Sequence, residues 1–314
     1  MARYLGRRLL VAVPTLLALS FLIFALVSSA PGDPGEELAR RRTQDPTPAE
    51  IADANHELHL DRPFLTQYGL WLKGAVTGDL GPSFAKKRPV VDEIRDRMGA
   101  TIELALAGLL LVIVMAVPLG VLAAMFHRHF VDQALRVWAL VFASIPGFFF
   151  GYLLIIELAT KLKLLPVAGR QGWMSLIMPA IVVAATPTAV ISRLLRASLL
   201  EVFSDDYIRT ARSKGLNSLQ IVVRHGLRNA SIPVVTYLGT VFGGLLEGVI
   251  ITEIVFAWPG IGRLTVEAIS QRDYPMIQAV VLMAGAVYLL TNLVVDMLYG
   301  VLDPRIRLEG ADTA

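Results

Sequence analysis

The sequence predicts an all-α, polytopic membrane protein with about six transmembrane helices. Of its 314 residues, 55% are hydrophobic, and the mean hydropathy is +0.60, whereas soluble domains are about 45–50% apolar. Several uncharged apolar runs reach the length of about 20 residues that a helix needs to cross the hydrocarbon layer. Because a globular core could not bury so much apolar surface, lipid must surround much of the chain, and helices then satisfy the backbone polar groups internally.

Composition and motifs argue against several functional classes. The net charge is only +3, without the basic excess of a nucleic-acid-binding protein. The chain has no cysteine, which excludes disulfides, cysteine–zinc sites and thiol catalysis. It also lacks the G-x-x-x-x-G-K-[ST] motif that cradles ATP phosphates, and no Ser/His/Asp order or H-E-x-x-H motif is evident. The sequence therefore predicts neither an enzyme nor a cofactor bound to this chain.

Charge placement predicts how the chain crosses the membrane. Arg3, Arg7 and Arg8 precede the first apolar run, and residues 193–228 carry seven Lys/Arg against three Asp/Glu. Basic residues mark the cytoplasmic side, so both termini and residues 193–228 are expected inside. The first apolar run exceeds the ~7–15 residues of a signal-peptide core, which indicates an uncleaved first span. Hydropathy places the six spans at 9–30, 104–126, 137–156, 173–191, 232–255 and 276–302.

Residues 30–98 form a long polar segment between the first two spans, which the predicted topology places outside. Thr47 and Glu50 are spaced as a capping box, which predicts that a helix starts there. His56 and His59 are three residues apart, as metal ligands can be. Without further clustered ligands the pair does not predict a metal site.

Residues 204–229 form a polar, basic segment between two long apolar runs. Ser204 is a suitable N-cap for a helix of about 11 residues, and Gly215 can adopt the positive φ that ends it. A second helix is predicted from Asn217 or Ser218. Its apolar residues recur three or four positions apart, namely Leu219, Val222, Val223 and Leu227.

The residues of this segment read D-Y-I-R-T-A-R-S-K-G-L and then R-H-G-L-R-N-A. They resemble the cytoplasmic coupling loop of permease subunits of dipeptide and oligopeptide ABC importers. The general form of that motif has Glu-Ala-Ala, of which 209–211 keep only the second alanine. Further similarities extend over nearly the whole chain. They include Gly78-Asp79-Leu80-Gly81, Arg272-Asp273-Tyr274-Pro275 and Asp303-Pro304-Arg305. Members of the family usually have glycine where His59 stands, so the local turn is expected to differ.

The resemblance implies a type I ABC importer permease fold in a single membrane domain, 1–314. An extracytoplasmic loop at 30–98 would precede a transmembrane core at 99–303, and that core would contain the cytoplasmic coupling loop, 204–229. The residues expected to couple to the ATPase are Tyr207, Arg209, Thr210, Ala211, Lys214, Gly215, His225 and Arg228.

The same resemblance implies the setting of the protein. The chain would lie in a bacterial plasma (inner) membrane beside a second, homologous permease. Cytoplasmic subunits would bind ATP and Mg²⁺ and hydrolyse the ATP, and an extracytoplasmic protein would deliver the substrate. The expected cargo is a dipeptide or oligopeptide, with nickel, glutathione or haem as alternatives within the same importer class.

Four polar residues fall within or near the predicted spans: Glu247, Glu253, Asn292 and Asp296. Such groups are costly in lipid and usually face protein or a water-filled path. They could line a translocation pathway, lock a subunit interface, or pair with Arg263 or Arg272. The alternative interpretation is a proton-coupled secondary transporter, in which some of these carboxylates relay protons. Such transporters are often built from inverted repeats, which the sequence does not show. A membrane scaffold that moves nothing is a third reading.

Overall fold

The computed structural model describes residues 2–30 and 32–302, without some side chains inside the helices, among them those of residues 242–248, 295, 296 and 298–302. The signature 303–305 lies outside the described residues. Two compact units are distinguished. Unit 1 takes the chain up to Ala100 together with Gly260–Leu290, and unit 2 takes Thr101–Pro259 together with the residues from Thr291.

The described residues are mostly helical and contain no strand, only an isolated bridge between Pro82 and Pro89. Two π-helical segments, Ile155–Lys161 and Val222–Gly226, continue from α-helices. The α-helices are α1 (Ala2–Ser28), α2 (Pro34–Arg42), α3 (Pro48–Glu57), α4 (Phe64–Thr77), α5 (Val90–Met125), α6 (Phe130–Ser144), α7 (Gly147–Leu154), α8 (Met174–Val202), α9 (Asp206–Ser213), α10 (Ser218–Ile221), α11 (Leu227–Val255), α12 (Ile261–Ser270) and α13 (Tyr274–Leu302).

The lengths and compositions of these helices confirm an all-α membrane protein. Within the described residues, four stretches are long and apolar enough to cross a bilayer: Leu10–Ser28, Val90–Met125, Met174–Val202 and Tyr274–Val294. A bent helix pair makes a fifth candidate. The remaining predicted span, 232–255, lies in α11, which is 29 residues long, against the roughly 20 that a span requires.

The predicted span at 137–156 is a bent helix pair instead of one continuous helix. The chain there forms α6 and α7, which are bent by 104° at a short break. Ile145 is extended, with φ −78° and ψ 126°, because a residue before proline is disfavoured in the helical region. Pro146 then precedes the first residue of α7. Hydropathy detected the apolar run but not the change of direction inside it.

Local signals explain the small helices of unit 1. Thr47 and Glu50 form the predicted capping box at the start of α3. The backbone N–H and the hydroxyl of Thr47 both donate to the Glu50 carboxylate, which lowers the pKa of Glu50. Asp33 caps α2 by accepting from the backbone N–H groups of Gly35 and Glu36. Helix α5 starts at Val90, so the end of the polar segment already belongs to the helix that carries the predicted second span.

Asp273 joins distant parts of unit 1. Its side chain is buried and accepts hydrogen bonds from the Ser83 hydroxyl and from the backbone N–H groups of Phe84 and Ala85, each at 3.1 Å. The Met276 N–H adds a longer bond of 3.4 Å from the start of α13. A single carboxylate therefore holds residues 83–85 against the corner between α12 and α13.

Asp132 has a similar role in unit 2, where its side chain joins residues that lie far apart in sequence. It is 1% exposed at the start of α6. The Arg196 side chain on α8 donates to it twice, at 2.6 and 2.8 Å. The Arg128 backbone N–H donates at 3.1 Å, and the His127 ring lies 3.4 Å away. These contacts fix the turn between α5 and α6 to the last two turns of α8.

Candidate functional site

The structure confirms two helices in the 204–229 loop, the first of them α9. Asp205, rather than Ser204, is the N-cap residue of α9, and no side chain caps this end. The difference of one position lies within the usual uncertainty of helix ends. Gly215 follows with φ +83°, and its backbone N–H donates to the Arg212 carbonyl. A residue in this left-handed conformation ends the helix, as the sequence predicted.

The second helix starts as predicted but does not end within the loop. Asn217 and Gln220 form a capping box at the start of α10. The chain then continues through the π-helical segment into α11, so the loop is joined directly to a long membrane helix. Gly226 allows close packing at this junction, because a Cβ there would lie 3.2 Å from Leu199 Cδ2 and 3.4 Å from Phe203 Cε1.

Buried apolar residues fasten the loop to unit 2. Ile208 of α9 is 0% exposed, and it belongs with Ala211 to a hydrophobic cluster that also contains Leu199 and Val202 of α8. Ile221 of α10 joins the same cluster. Displacing α9 would expose this apolar surface to water, so the two short helices are expected to move together with α8 and α11.

The predicted coupling residues differ in exposure: some pack into the hydrophobic cluster that anchors the loop, and the others lie on its surface. Ala211 is buried, and its side chain is therefore part of the anchor. His225 is half-buried. The others are exposed: Tyr207, Arg209, Thr210, Lys214, Gly215 and Arg228.

The predicted apolar face of the second helix is only partly correct. Val222 is 1% exposed, and Leu227 packs against the same hydrophobic cluster. Leu219 and Val223, however, are 59% and 61% exposed. They lie four residues apart, so they share one side of the helix. Together with the charged groups they give the loop an outer surface with apolar and basic elements, which is suited to binding another protein and shows no catalytic grouping.

Asn229 is a contributor to the site that sequence reasoning did not single out. Its side-chain amide donates to the Tyr207 hydroxyl at 2.7 Å, which ties the first turn of α9 to the first turn of α11. The pair is 22 residues apart, so no local pattern indicates the contact. The only sequence signal for this contact is that Tyr207 and Asn229 both lie in the stretches that resemble the importer family.

Of the four polar residues of the spans, the structure describes the side chains of Glu253 and Asn292. Glu253 is 0% exposed and accepts a hydrogen bond of 2.6 Å from the Thr101 hydroxyl. Asn292 is half-buried on α13. The side chains of Glu247 and Asp296 lie outside the described part. Glu253 is buried inside unit 2, where a polar group without a hydrogen bond would be unfavourable, and the Thr101 hydroxyl supplies a donor.

His56 and His59 lie at the end of α3. Among the described residues, no group of three or more His, Cys, Asp or Glu side chains could hold a metal ion. His59 has φ +58°. The turn thus adopts the left-handed conformation that glycine favours, with histidine in the place of glycine.

Comparison with known families identifies this arrangement. Residues 116–308 match the family described as the binding-protein-dependent transport system inner membrane component, and residues 1–105 match the N-terminal part of the corresponding membrane component. The chain belongs to this family of transport permeases. The permease is therefore a membrane-embedded subunit of an ABC importer, in a family that works with ATPase and binding-protein partners.

Individual relatives agree over the full length. The permease is 40% identical over 310 residues to proteins named glutathione transport system permease protein GsiC from Escherichia coli K12 and from Shigella dysenteriae. These alignments cover 98% of this chain and 100% of each relative.

Solved structures show the fold. One is an inward-facing structure of the MetNI methionine ABC transporter, with a TM-score of 0.57 and 17% identity. It covers 67% of this chain and 96% of that chain. An amino acid ABC transporter gives a TM-score of 0.52 at 14% identity, covering 66% of this chain and 93% of that one. Because the sequence identities are so low, these similarities show the fold alone, which is the type I ABC importer permease fold.

Proposed function

We propose that this permease translocates short peptides across the inner membrane, driven by ATP hydrolysed on separate cytoplasmic subunits. The 204–229 loop carries the proposal, because it presents an exposed basic and apolar surface on helices anchored to two long membrane helices. The named relatives transport glutathione, which is itself a tripeptide, and this supports a cargo of that size and chemistry. A second permease and an extracytoplasmic binding protein complete the proposed importer.

The loop would act as a rigid connection. The ATPase subunits would bind α9 and α10 from the cytoplasm and close when they bind ATP and Mg²⁺. Since Ile208, Ala211 and Ile221 share one hydrophobic cluster with α8, closure would move that helix and α11 as a body. Arg209, Lys214 and Arg228 would supply charged contacts at the dock. Glu253, Asn292, Glu247 and Asp296 are proposed to lie along the pathway or at the interface with the second permease.

The experiment that tests this proposal separates the two possible energy sources. Uptake of labelled glutathione and of a labelled tripeptide is measured in cells that express the complete importer. ATP is depleted in one sample while the proton gradient is kept, and the gradient is collapsed in the other while ATP is kept. We expect uptake to stop in the first sample and to continue in the second. Uptake that follows the proton gradient would instead establish the secondary transporter.

The same assay identifies the cargo. Unlabelled dipeptide, tripeptide, glutathione, haem and nickel ion are each added in excess. We expect the peptides, glutathione among them, to compete with the labelled substrate and the metal-containing compounds to have no effect. Competition by nickel or haem alone would assign the importer to that cargo instead of peptides.

A further inference from the structure

Helix α4, Phe64–Thr77, is an apolar helix within the segment that is predicted to lie outside the membrane. Its 14 residues include a single charged one, Lys73. None of the 14 is buried against the rest of the described chain. An apolar helix of about 10–14 residues is too short to span a bilayer, and it usually belongs either to a protein core or to the membrane surface. The exposure of α4 argues against a core helix.

One side of α4 packs on the first membrane span. Phe64, Tyr68 and Trp71 recur three or four positions apart, so they share a face of the helix. The ring of Phe24 on α1 lies 5.4 Å from that of Phe64 and 5.6 Å from that of Trp71, measured between centroids. The hydroxyls of Tyr68 and Ser20 share a hydrogen bond of 2.8 Å. Helix α4 therefore crosses α1 between Ser20 and Phe24.

This crossing lies within the part of α1 that traverses the bilayer. The stretch Leu10–Ser28 is long and apolar enough to cross, and Arg8 precedes it. An arginine near a helix end keeps its charge at the membrane edge. Along the axis, Ser20 is about 18 Å and Phe24 about 24 Å from Arg8, at 1.5 Å per residue. The hydrocarbon layer is about 30 Å thick, so α4 meets α1 inside the half of the layer that is far from Arg8.

A second face of α4 is apolar and exposed. Leu65, Leu72 and Val76 lie on it, again spaced by three, four or multiples of the helix period. Leu65 is 70% exposed and Val76 is 79% exposed. On α1, Phe21 is 39% exposed, and its ring centroid is 5.9 Å from that of Phe64. The exposed apolar surface of the membrane span thus continues onto α4.

Polar side chains of α4 are bonded within the helix or to the chain beside it. The Gln67 amide donates to the carbonyls of Leu60, at 3.3 Å, and Arg62, at 2.8 Å. The Thr77 hydroxyl donates to the Lys73 carbonyl at 3.0 Å. Internal bonding of this kind is what a lipid environment requires. Lys73 is exposed, and its long side chain can keep the ammonium group among the headgroups while its stem lies on apolar surface.

We infer that α4 lies in the plane of the membrane, with Leu65, Leu72 and Val76 inserted among the lipid acyl chains of the leaflet far from Arg8. The apolar face of such a helix sinks about 5–10 Å below the headgroup boundary, which agrees with the height at which α4 crosses α1. The segment between the first two spans is then anchored to lipid as well as to α1, whatever cargo the permease carries.

Spin-label accessibility tests the position of α4. The chain has no cysteine, so single labels are attached at Leu65→Cys and Val76→Cys. The importer is assembled with cysteine-free partner subunits in nanodiscs of phosphatidylethanolamine and phosphatidylglycerol. Leu22→Cys on α1, where the native residue is 57% exposed, is the lipid reference, and Asp53→Cys on the exposed side of α3 is the water reference.

We expect molecular oxygen, which concentrates in hydrocarbon, to relax the labels on α4 more than a water-soluble nickel chelate does. The label at Leu22→Cys should behave in the same way, and the label at Asp53→Cys should show the reverse order. Labels at Leu65→Cys and Val76→Cys that resemble the water reference would overturn the inference. Labels there that neither reagent reaches would also overturn it, because a protein subunit would then cover this face.

Thiol reactivity gives a second measurement that needs no spin label. A thiol in an apolar environment forms little thiolate, so a water-soluble maleimide should react about tenfold or more slowly at Leu65→Cys and Val76→Cys than at Asp53→Cys. All three should react equally after unfolding in detergent. Equal rates in intact membranes would contradict the insertion of α4 into lipid.

Discussion

Replacing Gly215 by valine is expected to uncouple ATP hydrolysis from uptake while the permease still inserts into the membrane. The residue has φ +83°, and no atom lies within 4 Å of the position that its Cβ would occupy. The cost is therefore conformational, at about 1–2 kcal/mol or more for a β-branched side chain. We expect the variant loop to relieve this strain by changing its conformation. Restoring the observed conformation on docking would cost that same free energy, which would weaken ATPase binding by roughly 5- to 30-fold.

The measurement is substrate-stimulated ATP hydrolysis and uptake in the reconstituted importer, at matched permease levels. Gly215→Asn is the first control, because asparagine tolerates a left-handed backbone and should retain most of the coupling. Gly78→Val is the second. Gly78 also has φ +83° and open space around it, but it ends α4 in unit 1, so ATPase binding should be unchanged. If Gly215→Val hydrolysed ATP and took up substrate like the wild type, the 204–229 loop would be an ordinary basic loop without a role in coupling.

Asp273→Ala is expected to have the largest effect on stability. It removes the acceptor for the Ser83 hydroxyl and the Phe84 backbone N–H, which are buried, and for the Ala85 backbone N–H, which is partly buried. Each buried donor left without a partner costs about 1–3 kcal/mol. The free energy of unfolding of unit 1 should therefore fall by about 3 kcal/mol or more. Limited proteolysis of residues 30–98 in membranes and the melting temperature of the purified chain both report this loss.

Two further variants sharpen this test. Asp273→Asn keeps one carbonyl oxygen but turns an N–H group toward donors, so its loss should be smaller than that of alanine and still clear. Asp53→Ala changes an exposed carboxylate on α3 in the same unit and should have little effect, as is usual for surface positions. If Asp273→Asn resisted protease and heat like the wild type, the carboxylate would not hold residues 83–85 in place.

The parts of the fold that could be predicted depend on neighbouring residues. Apolar runs located the long helices, the Thr47–Glu50 spacing located the start of α3, and Gly215 located the end of α9. Each of these signals lies within or beside the helix that it locates. The start of α10 at Asn217 was predicted for the same reason. Its continuation into α11 was missed because polar residues near the junction look like part of a loop.

The rest depends on contacts that sequence separation conceals. Asp132 and Arg196 are 64 positions apart, and Ser83 and Asp273 are 190 apart. Nothing near either carboxylate indicates a buried partner of that kind. The bend at Ile145–Pro146 lies inside a uniformly apolar run, so hydropathy counts it as one span.

Cross-linking shows whether the ATPase docks on the 204–229 loop. The chain has no cysteine, so a single introduced cysteine gives a unique attachment point. Arg209→Cys and Leu219→Cys probe exposed positions of α9 and α10, and Trp173→Cys probes a residue that is 70% exposed just before α8 and is predicted to lie on the opposite side of the membrane. With a short thiol-reactive photo-cross-linker, we predict ATPase adducts from the first two and none from the third. An ATPase adduct at Trp173→Cys, with none at Arg209→Cys and Leu219→Cys, would show that the ATPase does not dock on the 204–229 loop.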